Sequence, residues 1–396
     1  MMTENLYESY KLLFNKEADP FYAFAPGRMN IIGEHTDYNG GNVLPAAISF
    51  GTYALGSKRE DGVIRVHSLN FPEDGVITFH MDVLDYKQED GWANYPKGMF
   101  RYLHEAGHFL HGGADILFYG DIPNGAGLSS SASIELATGV LLTSLFHLDL
   151  ERQDLVLIGQ RVENEFLGIS SGIMDQFAVG MGKANHAIHL NCDSLEFEYA
   201  PLMLDGYSFI IMNTNKRRTL VSSSYNERRQ QCEAALKQLN KESNLSYLCE
   251  LTPGQFEKRK HLIVDPILRK RAKHVIYEHG RTAEAVKKLA NGDLSGFGQL
   301  INESHESLKY EYEVTGEELD TIVHTAWKQE GVLGARMTGA GFGGCAIAIV
   351  KNEHIFAFIE NTKKVYKEVI GYDASFYQVT IGDGAYVCNK KPMIQK

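Results

Sequence analysis

Between Gly27 and Ile48 the chain reads GRMNIIGEHTDYNGGNVLPAAI, which sets an arginine, an asparagine, a glutamate, a histidine and an aspartate inside an otherwise apolar, glycine-punctuated run. Buried polar groups cost free energy unless paired, so these side chains either satisfy one another or are completed by a ligand. Another acid, Asp175, lies among small and apolar residues in GISSGIMDQFAVGMGKANHAIHL. An acid in such company is paired with a cation or engaged in chemistry. Arg28 is the obvious partner, and on these residues alone a structural ion pair is the simpler reading.

Two glycine-rich stretches could hold phosphate. DIPNGAGLSSSASIELATGVLL, Asp121 to Leu142, passes from an apolar strand through a glycine turn into serines that open a helix. Glycines let backbone approach a phosphate closely, and the free amides and dipole of a helix N-terminus favour an anion. Ser129, Ser130 and Ser131 add hydroxyls, one of which could ligate the Mg2+ that accompanies a nucleotide. An N-cap cluster on a tight turn is the alternative, and the loop alone leaves the two readings level. RMTGAGFGGCAIAIV, Arg336 to Val350, matches GxGxxG, but an apolar β-like run follows the glycines where a dinucleotide site needs a helix. A glycine hairpin is the better reading there. No GxxxxGKS/T P-loop occurs, because GMGKA lacks the first glycine and the hydroxyl residue, and there is no HRD or DFG pair of the protein-kinase type.

The elements that must position these groups read as two α+β layers. Before about residue 205 short β-like runs dominate (FYAFAP, GVIRVHSL, GVITFHM, ADILFYG, HAIHL), broken by helical stretches near 92–107, 129–147 and 151–168. After YSFIIMNTN a helical tract with charged faces covers about 221–330. Strands then return at CAIAIV and FYQVTIG, on either side of the helix-like IFAFIENTKKVYKEVI. At 396 residues the chain exceeds one ordinary core, and the pattern divides it into domains at 1–205 and 206–396 with a cleft between them, not a regular βαβ array. No repeat, low-complexity segment or Pro/Gly/Ser linker marks the boundary sharply.

Composition narrows the function classes. With 44% hydrophobic and 22% charged residues and no apolar run near the ~18 residues a membrane span needs, no membrane partner is expected. The N-terminal stretch lacks the apolar core of a secretory signal. Cys192, Cys232, Cys249, Cys345 and Cys388 are odd in number and scattered, with no CxxC pair, and read as reduced thiols of a cytoplasmic protein. A net charge of −11 speaks against nucleic acid as a partner, so any phosphate site must be built locally.

Taken in order and spacing, GRMNIIGEHTDYNGG with its following VLP, then PNGAGLSSSAS, GIMDQ and RMTGAGFGG, resemble the galactokinases, members of the GHMP small-molecule kinase superfamily. The likeness runs from about Ala25 to the C-terminal strand, and its most specific part is the acid–histidine–acid string. It implies an α+β fold of two GHMP kinase domains: an N-terminal ribosomal-protein-S5-like α/β domain and a C-terminal ferredoxin-like α+β domain, with the active site in the cleft. It also implies Mg-ATP-dependent phosphorylation of the anomeric hydroxyl of α-D-galactose, the entry step of galactose metabolism.

The same resemblance assigns roles. Asp175 matches the proposed base and Arg28 the residue that stabilises the developing charge and holds Asp175 ionised. Glu34, His35, Thr36 and Asp37, joined by Gly172 and Tyr225, match the sugar-binding positions. Gly125, Ala126, Gly127, Leu128, Ser129, Ser130 and Ser131 would wrap the ATP phosphates, Ser68 would contact the nucleotide, and Ser131 with Glu163 would hold Mg2+. A hexose offers hydroxyls that both donate and accept, which suits carboxylate and imidazole partners. A metal site at Glu34, His35 and Asp37 is the competing reading of that string, weakened by the lack of a further histidine or cysteine nearby. Other expectations consistent with the resemblance are a non-catalytic sensor binding galactose and ATP, or a related sugar-1-kinase acting on N-acetylgalactosamine, arabinose or galacturonate. A monomer with galactose and ATP as its only partners is expected.

Overall fold

The computed structural model describes residues 2–16, 19–123, 125–169, 171–216 and 221–388. The first half contains helix α1 (Met2–Phe14), strands β1 (Phe21–Asn30), β2 (Asn42–Val43), β3 (Pro45–Arg59), β4 (Val63–Ser68) and β5 (Ile77–His80), helix α2 (Asn94–Glu105) and strand β6 (Gly113–Gly120). Helices α3 (Ser130–Leu145), α4 (Arg152–Arg161) and α5 (Met174–Met181) follow, then strands β7 (His186–Asn191) and β8 (Phe197–Pro201). Alternation along β1 explains how it sits. Tyr22 and Phe24 face the apolar side of α1, while Ala23 and Ala25 face the core beneath α3. Both faces of the strand are therefore covered, and Tyr22 to Asn30 is buried without interruption.

From β9 (Tyr207–Asn213) the chain enters helices α6 (Val221–Leu239), α7 (Pro253–Arg259), α8 (Pro266–Ala290), α9 (Leu294–Ser307) and α10 (Gly316–Ala326). It closes with β10 (Val332–Thr338), β11 (Cys345–Lys351), α11 (Ile355–Ile370), β12 (Ser375–Val379) and β13 (Tyr386–Cys388). The second sheet has the order β10-β11-β9-β12 and is antiparallel throughout, with helices crossing between β9 and β10 and between β11 and β12. That is the ferredoxin-like arrangement. One face, through Ile210, Met212, Ala346 and Ala348, packs on helices. The other, through Phe209, Ile211 and Ile347, packs against Met29, Ile31 and Leu44 of the first half.

Two expectations need correction. The first sheet has the order β13-β1-β3-β6-β4-β5, so the chain's last described strand returns to the first domain and pairs with β1 at Tyr22 to Phe24. A second domain over 206–396 therefore overstates its C-terminal end. The physical reason is that β1 would otherwise present an unpaired edge. Strands also resume at β10, before CAIAIV, since a register shift between Val332 and Gly334 and the buried Arg336 interrupt the apolar pattern there. No helix among the described residues is long and apolar enough to cross a membrane.

Candidate active site

β1 shifts register between Pro26 and Arg28, an irregularity of the kind that re-aims a side chain, and Arg28 leaves the sheet toward the N-terminus of α5. Its Nε donates to Asp175 Oδ1 and its Nη2 to Asp175 Oδ2, both at 2.9 Å, while Nη1 donates to the Gly127 carbonyl at 2.9 Å. Such a fork fixes orientation as well as charge. Asp175 stands in the first turn of α5, where the helix dipole favours an anion, and also accepts from the Ser129 hydroxyl at 2.5 Å. Arg28 is buried, but 27% of the Asp175 side chain remains exposed, facing a cavity of about 640 Å³.

Lining that cavity with Arg28 and Asp175 are Glu34, His35, Asp37, Gly172 and Tyr225, together with Ser131 and Glu163. Glu34 accepts the Gly339 amide at 2.7 Å and lies 3.4 Å from the Arg336 guanidinium. Burial raises its carboxyl above the ordinary value, and Arg336 opposes that rise. His35 has its nitrogens engaged, Nδ1 with the Tyr38 hydroxyl at 2.8 Å and Nε2 with the Ala340 carbonyl at 3.2 Å. Burial pushes its pKa down to about 3, so the ring is neutral and donates from Nε2 while Nδ1 accepts from Tyr38. The imidazole therefore lines the pocket without a spare nitrogen for a hydroxyl, a correction to the expected pairing. Thr36 is corrected too. Its hydroxyl is buried on the Gly33 and Asn42 carbonyls, both at 2.8 Å, and ties the loop instead of facing the cavity.

Asp37 keeps its carboxyl for the cavity. Burial, reinforced by the negative charge of Asp175, pushes its pKa up to about 7. Gly172 lies against it so closely that a Cβ there would meet Asp37 Oδ2 at 2.2 Å. The rings of Tyr225 and His35 are 5.8 Å apart and form one wall.

The glycine–serine loop reaches the same cavity from the other side. Gly125, Gly127 and Ser129 take positive φ, and α3 begins at Ser130. Ser129 makes no side-chain cap, because its hydroxyl is used by Asp175, so the N-cap reading of the serines does not hold. Ala126 and Leu128 turn inward and are buried, whereas Ser130 is exposed. Ser131 lines both the large cavity and a second one of about 240 Å³. Ser68 belongs to that second cavity, beside Asn70, Phe71, Trp92 and Tyr95. These four residues were not legible as a site, because nothing in the sequence around Phe71 or Trp92 distinguishes them from other aromatic residues.

In RMTGAGFGG, Arg336 to Thr338 end β10 and Gly339 to Gly344 form the hairpin loop to β11, as the following strand required. It is nonetheless part of the site, since Gly339 and Ala340 line the large cavity and the Gly339 amide holds Glu34.

Glu163, on a π-helical turn over Val162–Phe166, is buried, yet no described cation pairs with its carboxylate. With Glu34, Asp37 and Asp175 it places four carboxyl groups around a cavity in which, among the described residues, Arg28 supplies the one guanidinium. An oxygen-only donor pair such as Ser131 and Glu163 suits Mg2+. The competing metal reading at Glu34, His35 and Asp37 meets the occupied nitrogens of His35, and among the described residues no cluster of three or more His, Cys, Asp or Glu is arranged to hold an ion.

Three family descriptions match the chain: GHMP kinases N terminal domain over residues 94–183, Galactokinase galactose-binding signature over 8–58, and GHMP kinases C terminal over 285–367. The galactokinase of Streptococcus suis is 53% identical over 391 residues, 99% of this chain and 100% of that protein. That of Clostridium beijerinckii is 53% identical over 379 residues, 96% and 97% of the two chains. Among solved structures, Lactococcus lactis galactokinase complexed with galactose superposes with a TM-score of 0.95 at 48% identity, covering 97% of this chain and 99% of that one. Methanococcus jannaschii mevalonate kinase, at 19% identity and a TM-score of 0.65, shares the fold.

Proposed function

This chain belongs to the galactokinase family of the GHMP kinases, and from that premise we propose that it transfers the γ-phosphoryl group of ATP to the anomeric hydroxyl of α-D-galactose, giving α-D-galactose 1-phosphate and ADP. The observation that carries this reading is the Arg28–Asp175 pair, which stands in one cavity between the sugar motif and the glycine–serine loop.

In this mechanism galactose lies against Asp37, Glu34 and Tyr225, with its anomeric hydroxyl toward Asp175. The γ-phosphoryl group lies against the loop from Gly125 to Ser131, and the base occupies the smaller cavity beside Ser68. Asp175 accepts the hydroxyl proton, the sugar oxygen bonds to the γ-phosphorus, and the bond to the β-phosphate oxygen breaks to release ADP. Arg28 holds Asp175 in position through both carboxyl oxygens and offsets charge developing on the sugar oxygen. Ser131 and Glu163 would hold Mg2+, which supplies charge neutralisation at the phosphates when bound. The neutral His35 adds no charge of its own beside these acids.

Galactose, glucose, N-acetylgalactosamine, arabinose and galacturonate, each supplied with ATP and Mg2+ in an ADP-release assay, test the reading when the phosphorylated carbon is identified. Galactose should give the largest kcat/KM and a 1-phosphate. A folded protein that binds galactose and ATP without ADP release would instead be a sensor, and a second sugar outpacing galactose would make it a related sugar-1-kinase.

A further inference from the structure

The segment from Ile31 to Gly41 lies outside the sheets apart from a short turn at Asp37–Asn39, so its backbone groups need partners from elsewhere. Two come from α8 in the second domain, which also reaches Asn42 just beyond the segment. The Gly33 amide donates to Glu278 Oε1 at 3.0 Å, the Glu34 carbonyl accepts from His274 Nε2 at 3.1 Å, and the Asn42 amide donates to His279 Nδ1 at 3.0 Å. Positions 274 and 278, one turn apart, share a helical face, and with the neighbouring position 279 their contacts bracket the side chains that line the cavity.

Glu278 is the centre of this grip. It is fully buried, its Oε1 also accepts from the Ser304 hydroxyl at 2.5 Å, and its Oε2 accepts from Arg281 Nε at 2.8 Å. Burial is the largest single influence and opposes its charge, but Arg281, Arg336 and the Ser304 hydroxyl, with the other groups around it, together hold the carboxyl down to about 2. His274 is neutral, since burial pushes it down to about 4, so its proton sits on Nε2 toward Glu34 while Nδ1 accepts from Ser307. His279 has the opposite tautomer, with Nδ1 free to accept from Asn42.

We propose that Glu278 is a positioning residue for the sugar: acting from the second domain on the Gly33 backbone, it sets the aim of Glu34 and Asp37 without touching galactose or ATP. The inference rests on the galactose reading of that loop. The phosphate loop and the smaller cavity are built from the first domain and receive no contact from Glu278, so nucleotide use is independent of it.

Steady-state kinetics of Glu278→Ala and Glu278→Gln, with Asp37→Ala alongside, test this. Glu278→Ala should raise the galactose KM roughly 10- to 100-fold, the scale of one lost hydrogen bond to a charged group, with a much smaller fall in kcat and an unchanged ATP KM. Glu278→Gln keeps an oxygen for the Gly33 amide and should recover most of the galactose affinity. Should Glu278→Ala fail to fold, the half-buried His279→Ala should shift the galactose KM in the same direction and leave the ATP KM alone. Equal loss of both substrates, or an unchanged galactose KM in folded protein, overturns the proposal. If Asp37→Ala binds galactose normally, the sugar reading of the loop fails and the proposal falls with it. If Asp37→Ala loses galactose while Glu278→Ala keeps it, only the positioning role fails.

Discussion

Asp175 engages Arg28 through both carboxyl oxygens and still presents a quarter of its side chain to the cavity, so the structural and catalytic readings of the pair meet in the same atoms. They make different forecasts for Asp175→Asn. Loss of a base should reduce turnover by about 10²–10⁴-fold while the protein stays folded and binds galactose. Removal of a purely structural partner should cost about 3–5 kcal/mol of stability, because Arg28 would stay charged and unpaired. The retained contact of Arg28 with the Gly127 carbonyl favours the first outcome, and thermal melting with galactose titration of the mutant decides between them. Asp37 gives a pH prediction. Its folded pKa of about 7 lies well above the ordinary carboxylate value of 3.8, so the protonated form contributes stability at acid pH that is lost as pH rises through 7. Galactose hydroxyls are best accepted by the ionised form, so the galactose KM should rise as pH falls below 7. In Asp37→Asn that slope should vanish; an unchanged slope would move the titration to another group.

Whether such a residue could be read from the chain depended on the element carrying it. α3 was legible at nearly its true length because a glycine turn, serines and an apolar run announce a buried helix. The hairpin role of RMTGAGFGG followed from the strand after it, yet its grip on Glu34 did not, because a backbone amide leaves no mark on a sequence. The rest of the smaller cavity, beyond Ser68, Ser130 and Ser131, was missed for a similar reason. Its residues come from separate segments between Thr52 and Ile134, and only folding brings them together. The turn entering α5 carries a prediction of its own. Gly172→Ala would place a methyl 2.2 Å from Asp37 Oδ2, so the carboxylate must move or the turn must shift. Galactose KM should therefore rise with little change in the ATP KM, because the phosphate loop is not touched. Parallel loss of both would show that the turn supports the whole cleft.

At the scale of the molecule, the change of texture near residue 205 correctly signalled a second sheet, but the pattern of a single chain gives faces and not their partners. The apolar cluster around Phe209, Ile211 and Ile347 includes Phe297 and Ile301 of α9, from its own domain, but is completed by Met29, Ile31 and Leu44 of the first half. β13, only three residues long and the last described strand, crosses back to pair with β1 in the first sheet. Shared apolar core and a crossing strand both oppose independent unfolding, which is otherwise the default for two domains. Thermal unfolding should therefore appear as one cooperative transition by calorimetry and by near-ultraviolet circular dichroism. Asp37 from the first half and Tyr225 from the second line the same cavity, so galactose bound there as proposed should raise that whole transition, with a stabilisation of about 2.7 kcal/mol when present at 100 times its Kd. Two resolved transitions, only one of them moving with galactose, would mean that the domains are coupled too weakly for α8 to set the sugar loop. A single transition that moves as one body is what the shared core between Leu44 and Ile347 requires.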